Sequence, residues 1–241
     1  MGGGTKHVPV LLEEIVSYLA PLGDEPCLLL DCTFGGGGHA SELLARFPSV
    51  SIIALDRDAG ALARGRERYQ RFQDRLQIFH ANFGEVTQVL ARENAMINRL
   101  VDQLLGGTSR GQLQFNRILA DLGISSDQLD APERGFSFQG EGPLDMRLDQ
   151  TQDVTAATLL NELSDRELKR LFDEGGVGYP SRTLAAKVIA ARPFSTTAQF
   201  AAVCEQGLGF RKGKRGGDKK GGKPKNPATV PFQALRMAVN R

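Results

Sequence analysis

Residues 27–39 read CLLLDCTFGGGGH, from Cys27 to His39. The first seven, Cys27 to Thr33, form a short apolar run ending in polar residues, the pattern of a strand buried on both faces. Phe34 to His39 is the turn after it. Ala40, Leu43, Leu44 and Phe47 then recur at helical spacing. A strand, a glycine-rich turn and a helix N-terminus set backbone N–H groups and the positive end of a helix dipole beside a ligand. Four consecutive glycines let the backbone approach that ligand closely, because side chains would block it.

The next strand supports a ligand-binding reading of the turn. Ser51 to Leu55 is a second buried run, and it ends at Asp56. A carboxylate there accepts hydrogen bonds from ribose hydroxyls, and its distance from the turn, about 20 residues, fits a nucleotide-type cofactor. The spacing is not that of a dinucleotide fingerprint, since Ala40 stands where its third glycine belongs. That disfavours hydride transfer and favours a cofactor without a pyrophosphate, such as S-adenosylmethionine. The bland alternative is a tight turn beside a surface Asp-Arg-Asp.

Working outward, Leu12, Ile15, Val16 and Leu19 follow Pro9 as an amphipathic helix to about Ala20. Residues 58–70 read as a helix, Leu76 to Phe79 as a third strand, 84–105 as helix and Phe115 to Leu122 as a fourth strand. Strands alternating with helices at this spacing predict a parallel, doubly wound α/β sheet. Asp121, at the carboxyl end of strand four, then faces the same crevice as Gly37 and Asp56. After Leu122 the alternation stops. Residues 123–150 are rich in Gly, Pro, Asp and Ser, and helical patterns dominate from about 154 to 206. Ser164 to Glu167 is a capping box ahead of Leu168, Leu171 and Phe172. Ser181 is expected to cap a helix with Leu184, Val188 and Ile189 inside. Pro231, Phe232, Leu235 and Val239 begin one more helix. The reading is a cofactor-binding domain over 1–124 and 229–241, with a helical domain inserted over 125–228.

Composition limits the function classes. The 241 residues include 41% hydrophobic and 24% charged side chains, close to ordinary globular proteins. No apolar run approaches the ~18 residues of a membrane span. The three cysteines, Cys27, Cys32 and Cys204, form no C-x-x-C pair and read as reduced thiols in a cytoplasmic protein. The net charge of +2 conceals an asymmetry. Residues 211–225, RKGKRGGDKKGGKPK, carry eight basic residues and one acidic, net +7, which leaves −5 on the remainder. A basic, glycine-rich arm on an acidic body suits a polyanionic partner, or else is only a solvated loop.

Several longer blocks carry a resemblance. They are Asp31 to His39, Leu55-Asp56-Arg57-Asp58, Asp121 to Asp130 (DLGISSDQLD), Glu133 to Phe138 (ERGFSF) and Gly142 to Arg147 (GPLDMR). Together they resemble the S-adenosylmethionine-dependent methyltransferases that modify N4 of a cytosine in small-subunit ribosomal RNA, the MraW/RsmH family. The likeness runs from Lys6 to Arg236. It implies a Rossmann-like class I methyltransferase sheet with an inserted helical domain. It implies that Gly37, Gly38 and His39 line S-adenosyl-L-methionine, that Asp56 holds the ribose and that Phe83 lies against the adenine. Asp121 and Gln128 complete the site, and Asp121 is the candidate acceptor for a proton of the target amine.

The implied partner is 16S ribosomal RNA within the small ribosomal subunit; no metal and no membrane are implied, and a homodimer is compatible. Phe136 and Phe138 are candidates to hold an unstacked base, or else anchors of the insertion's first loop. His7 and His80 read as structural. Two departures stand out. The family has His-Pro-Ala-Thr-Arg-Thr-Phe where this chain has Asn226 to Phe232 (NPATVPF). Family members also continue with further strands, including a Ser-Phe-His-Ser segment, so the reading expects a shortened chain whose fourth strand is an unpaired apolar edge. Other classes remain: transfer to another amino group, a cofactor- or RNA-binding fragment without catalysis, and a nicotinamide dehydrogenase.

Overall fold

A computed structural model describes residues 9–106, 113–208 and 226–241. The basic arm at 211–225 lies outside them. The chain divides into two compact units, residues 1–125 and 126–241.

The first unit holds helix α1 (Leu12–Leu19), β1 (Cys27–Asp31), α2 (Gly38–Arg46), β2 (Val50–Asp56), α3 (Ala59–Arg68), β3 (Leu76–His80), α4 (Val86–Arg92), α5 (Asn94–Leu105) and β4 (Arg117–Leu119). The strands form one parallel sheet in the order β3-β2-β1-β4. Because side chains alternate across a strand, β1 serves two cores at once. Cys27 and Leu29 pack with Leu43, Leu44, Leu62 and Phe72. Leu28 and Leu30 pack with Val89, Ile97, Leu100 and Val101 on the other face. All five residues of β1 are buried, which explains its unbroken apolar reading. This is the expected doubly wound α/β sheet. Among the described residues no helix is long and apolar enough to cross a membrane.

Two elements of this unit differ from the sequence expectation. Strand four is three residues long, not eight. Among the described residues it pairs only with β1, through Leu29–Asp31, and Ile118 on it is 62% exposed. Just before the strand, Asn116 holds Leu28 twice: its side-chain oxygen takes the Leu28 N–H at 2.7 Å, and its own N–H donates to Leu28 O at 2.8 Å. The helix expected over 84–105 is a 3₁₀ turn at Phe83–Glu85 followed by α4 and α5. Asn82 starts it with a capping box closed by Glu85.

The second unit holds α6 (Ser126–Leu129), two long loops over 130–155, and helices α7 (Ala156–Glu162), α8 (Asp165–Glu174), α9 (Ser181–Ala191), α10 (Thr197–Leu208) and α11 (Thr229–Val239). Its core is aromatic. Phe172 stacks on Phe200 at 6.3 Å between ring centres, and Phe200 meets Phe232 at 5.2 Å. All three rings are fully buried. Phe232 therefore ties α11 to this unit, where it packs on α7 and α8. The last helix thus groups with the second unit, whereas the sequence reading assigns 229–241 to the cofactor-binding domain. Gly175, at the end of α8, has no room for a side chain because Ala234 of α11 fills the space.

Local signals here were partly sound. Ser164 and Glu167 form the capping box, with the Ser164 N–H on Glu167 Oε2 at 2.9 Å. Ser181 is not a cap. Pro180 holds that place, and Ser181 Oγ donates to Gly178 O at 2.7 Å. The inner face of α9 is Leu184, Ala185 and Val188, while Ile189 is 36% exposed. The ERGFSF and GPLDMR blocks interlock. A side chain on Gly135 would meet Pro143 O, and one on Gly142 would meet Pro132 O.

Candidate active site

The sheet order sets the site. The chain steps from β1 to β2 and β3 on one side, then crosses to β4 on the other, so the order reverses beside β1. Ligands of open α/β sheets lie outside the carboxyl ends at such a point. There β2 ends in Asp56, β1 ends in Asp31 and β4 is followed by Asp121. Three carboxylates thus follow three adjacent strands. No group of three His, Cys, Asp or Glu among the described residues is placed to hold a metal ion.

The glycine turn is fixed by this edge. Gly35 N–H donates to Asp56 Oδ2 at 2.6 Å, and Asp58 N–H donates to Asp56 Oδ1 at 2.8 Å. Phe34 N–H reaches Leu55 O at 3.0 Å, and Tyr69 OH donates to Gly36 O at 2.8 Å. Thr33 links the other two strands: its N–H donates to Asp31 Oδ1 at 3.0 Å, and its hydroxyl accepts the Asp121 N–H at 2.7 Å. The loop is therefore preorganised by Asp31, Asp56 and Thr33.

The four glycines have different reasons. Gly37 sits at φ 70°, and a side chain on it would overlap Tyr69 and Phe34. A side chain on Gly38 would overlap Pro9. Gly35 has φ 53°. At Gly36 a methyl group would meet nothing within 4 Å, which makes it the open position of the turn. His39 is buried at the start of α2, with Nε2 3.1 Å from Val10 O. It is engaged by the N-terminal segment.

Burial governs the electrostatics. Asp31 is 2% exposed, and its carboxyl is pushed up to about 7, chiefly by desolvation and further by Asp56 and Asp121, against the Thr33 N–H bond. Asp56 is also raised, first by burial, against its backbone N–H partners. No basic side chain is among the groups that shift either carboxylate.

Of the expected site residues, Gly37, Gly38, His39, Asp56, Phe83 and Asp121 all lie at the carboxyl edge of the first unit's sheet. Phe83 follows β3, whose His80 pairs with Asp56, and it is 42% exposed. Gln128 lies in α6, at the start of the second unit, and is buried. Phe136 is fully buried, so it is an anchor; Phe138 is half-buried with its ring 5.1 Å from Phe232. Residue reasoning gave Asp31 no role, although a carboxylate closing an otherwise apolar run was the available signal. Tyr69 had no signal. A cavity of about 780 Å³ lies along the outer edge of β3, lined by Arg66, Gln77 and Met96, not over the glycine turn.

Comparison with known proteins agrees with this geometry. The model of the MraW methylase family matches residues 4–241. A protein of Acaryochloris marina named ribosomal RNA small subunit methyltransferase H is 38% identical over 239 residues, covering 99% of this chain and 70% of its own length. Proteins of the same name from Synechococcus elongatus and Acidiphilium cryptum are 37% and 39% identical, over 97% and 100% of this chain and 68% of each relative. With a parallel sheet, a glycine turn and acidic strand ends in the expected places, the chain belongs to the MraW methylase family.

Proposed function

We propose that the chain transfers a methyl group from S-adenosyl-L-methionine to the exocyclic N4 amine of a cytosine in 16S ribosomal RNA, acting in the cytoplasm on the small ribosomal subunit. The observation that carries this is the charge of the site. Asp31 and Asp56 end two adjacent strands and Asp121 follows a third, with Asp56 holding the glycine turn and Thr33 joining Asp31 to Asp121. Such an edge repels the pyrophosphate of a dinucleotide. It suits a cofactor with an ammonium and a sulfonium, and the sulfonium supplies an electrophilic methyl whose departure removes the positive charge.

The residues divide the work. Asp56 has both oxygens on backbone N–H groups, yet each oxygen keeps a lone pair for a ribose hydroxyl. Asp31 offers Oδ2 to an ammonium while Oδ1 is held by Thr33. Phe83 offers a half-open ring to an adenine. The N4 amine of cytosine is a poor nucleophile because its lone pair is delocalised into the ring. Asp121 accepts a hydrogen bond from that amine, which localises the lone pair, and takes the proton as the N–C bond forms. Most of the acceleration comes from alignment of the reacting atoms.

Calorimetry with S-adenosylmethionine, S-adenosylhomocysteine and NAD tests the cofactor. Binding of the first two and not of NAD is expected; NAD binding alone by the folded protein overturns the reading.

A further inference from the structure

Among its described residues, the second unit contains a half-buried cation whose surroundings differ from those of its neighbours. Arg147 is paired with Asp145 at 2.7 Å and also bonds the carbonyls of Gln150 and Gln152. Arg134 donates to Arg147 O and Leu148 O and lies over the Phe136 ring. Arg192 donates to Leu160 O and Leu163 O. Each of these guanidiniums ties loops or helices together. Arg236, on α11, makes a single long bond, from Nη1 to Phe136 O at 3.3 Å, and has no ion pair among the described residues. Burial alone lowers its pKa, with no carboxylate opposing the effect. A guanidinium has five N–H donors, so most of its donors have no acceptor among the described residues.

Arg236 lies one helical turn after Phe232, whose ring carries Phe138 edge-on. Phe138 is half-buried, and its loop begins at the carbonyl that Arg236 touches. The Gln139 N–H on Ser137 Oγ, 3.1 Å away, sets the bend between them. A partly desolvated guanidinium with spare donors and a half-buried aromatic ring, linked through the Phe136 carbonyl and the Phe232 ring, match the two halves of a nucleotide, phosphate and base. An arginine kept only to hold one neutral carbonyl would carry the cost of desolvating its charge without a return.

We propose that Arg236 and Phe138 form an RNA-strand subsite, with Arg236 on a phosphodiester and Phe138 stacked on the adjoining base. The subsite rests on the RNA reading above and adds the residues that grip the strand.

The test is fluorescence anisotropy of a labelled single-stranded RNA oligonucleotide bound by the full chain across a potassium chloride series. Arg236→Gln, which removes the charge and keeps a polar side chain, is expected to flatten the slope of log affinity against log salt by about 0.7, the value for one phosphate contact on a single strand. Phe138→Leu, which keeps an apolar contact with Phe232, is expected to weaken binding roughly tenfold with the slope unchanged. Exposed Arg166→Gln is the charge control, with the slope unchanged. A wild-type slope and affinity in Arg236→Gln, with a lowered melting temperature, would show a structural arginine and overturn the subsite alone. Absence of RNA binding by the wild-type chain overturns the RNA reading and the subsite together.

Discussion

Asp31 is the residue where structure and function pull in opposite directions. Burial pushes its carboxyl from the ordinary value of 3.8 up to about 7 in the fold. The folded state therefore holds the proton more tightly, and stability is complete below the unfolded value and declines as pH rises through the folded one. A cationic cofactor needs the opposite, the ionised form. Asp31→Asn is thus expected to raise the melting temperature at pH 8, to flatten its dependence on pH between about 4 and 8, and to weaken S-adenosylmethionine binding. Thermal scans over that range with calorimetry check all three; a melting temperature that falls at pH 8 would contradict the account. Asp56 is different, because its oxygens organise the turn as well as facing the ligand. Asp56→Ala leaves the Gly35 and Asp58 N–H groups without these acceptors, so both cofactor affinity and stability should fall, the latter by roughly 1–3 kcal/mol.

At the scale of elements, the glycine turn shows what was legible in the sequence. A buried strand, a break and an amphipathic helix were readable from Cys27 to Phe47 by hydrophobic period alone. The individual glycines were not, because their reasons are distant in sequence. Gly37 is required by Phe34 and Tyr69, Gly38 by Pro9, and Gly65 by the Phe34 ring. Gly65→Ala is expected to cost roughly 1–3 kcal/mol by overpacking against Phe34, and Gly36→Ala much less; denaturant unfolding separates them. Local caps were mixed for a similar reason. Ser164 works because its partner Glu167 is three residues away, and Ser164→Ala should cost about 1 kcal/mol by the same measurement. Ser181 failed because Pro180 already occupies the cap. The apolar run Phe115 to Leu122 is longer than the strand Arg117–Leu119, because apolar composition does not reveal whether a strand is paired on one side or on two.

For the whole molecule, the division into units was only partly legible. The loss of strand–helix alternation after Leu122 marks where the sheet pattern stops, and the first unit ends at Ser125. The destination of the last helix was not readable, since an apolar stripe says that a helix is buried and not against what. Phe232 meeting Phe200, and Ala234 meeting Gly175, place it among helices. The candidate site was legible as motif blocks, and the structure divides those blocks by purpose. Asp31 to His39 and Leu55 to Asp58 lie at the strand ends of the first unit, while Gly135 of ERGFSF and Gly142 of GPLDMR pack one loop of the second unit closely against another. The exposed apolar edge at β4 has a consequence for solution behaviour: Ile118→Lys should lower self-association in light scattering without lowering the melting temperature. The central claim concerns the reaction. Its most direct test is mass-spectrometric mapping of 16S ribosomal RNA after small subunits are incubated with this chain and S-adenosylmethionine. A single methyl group on N4 of one cytosine, lost with Asp121→Ala, is the predicted result. A methyl group on a ring carbon or a ribose would contradict the account.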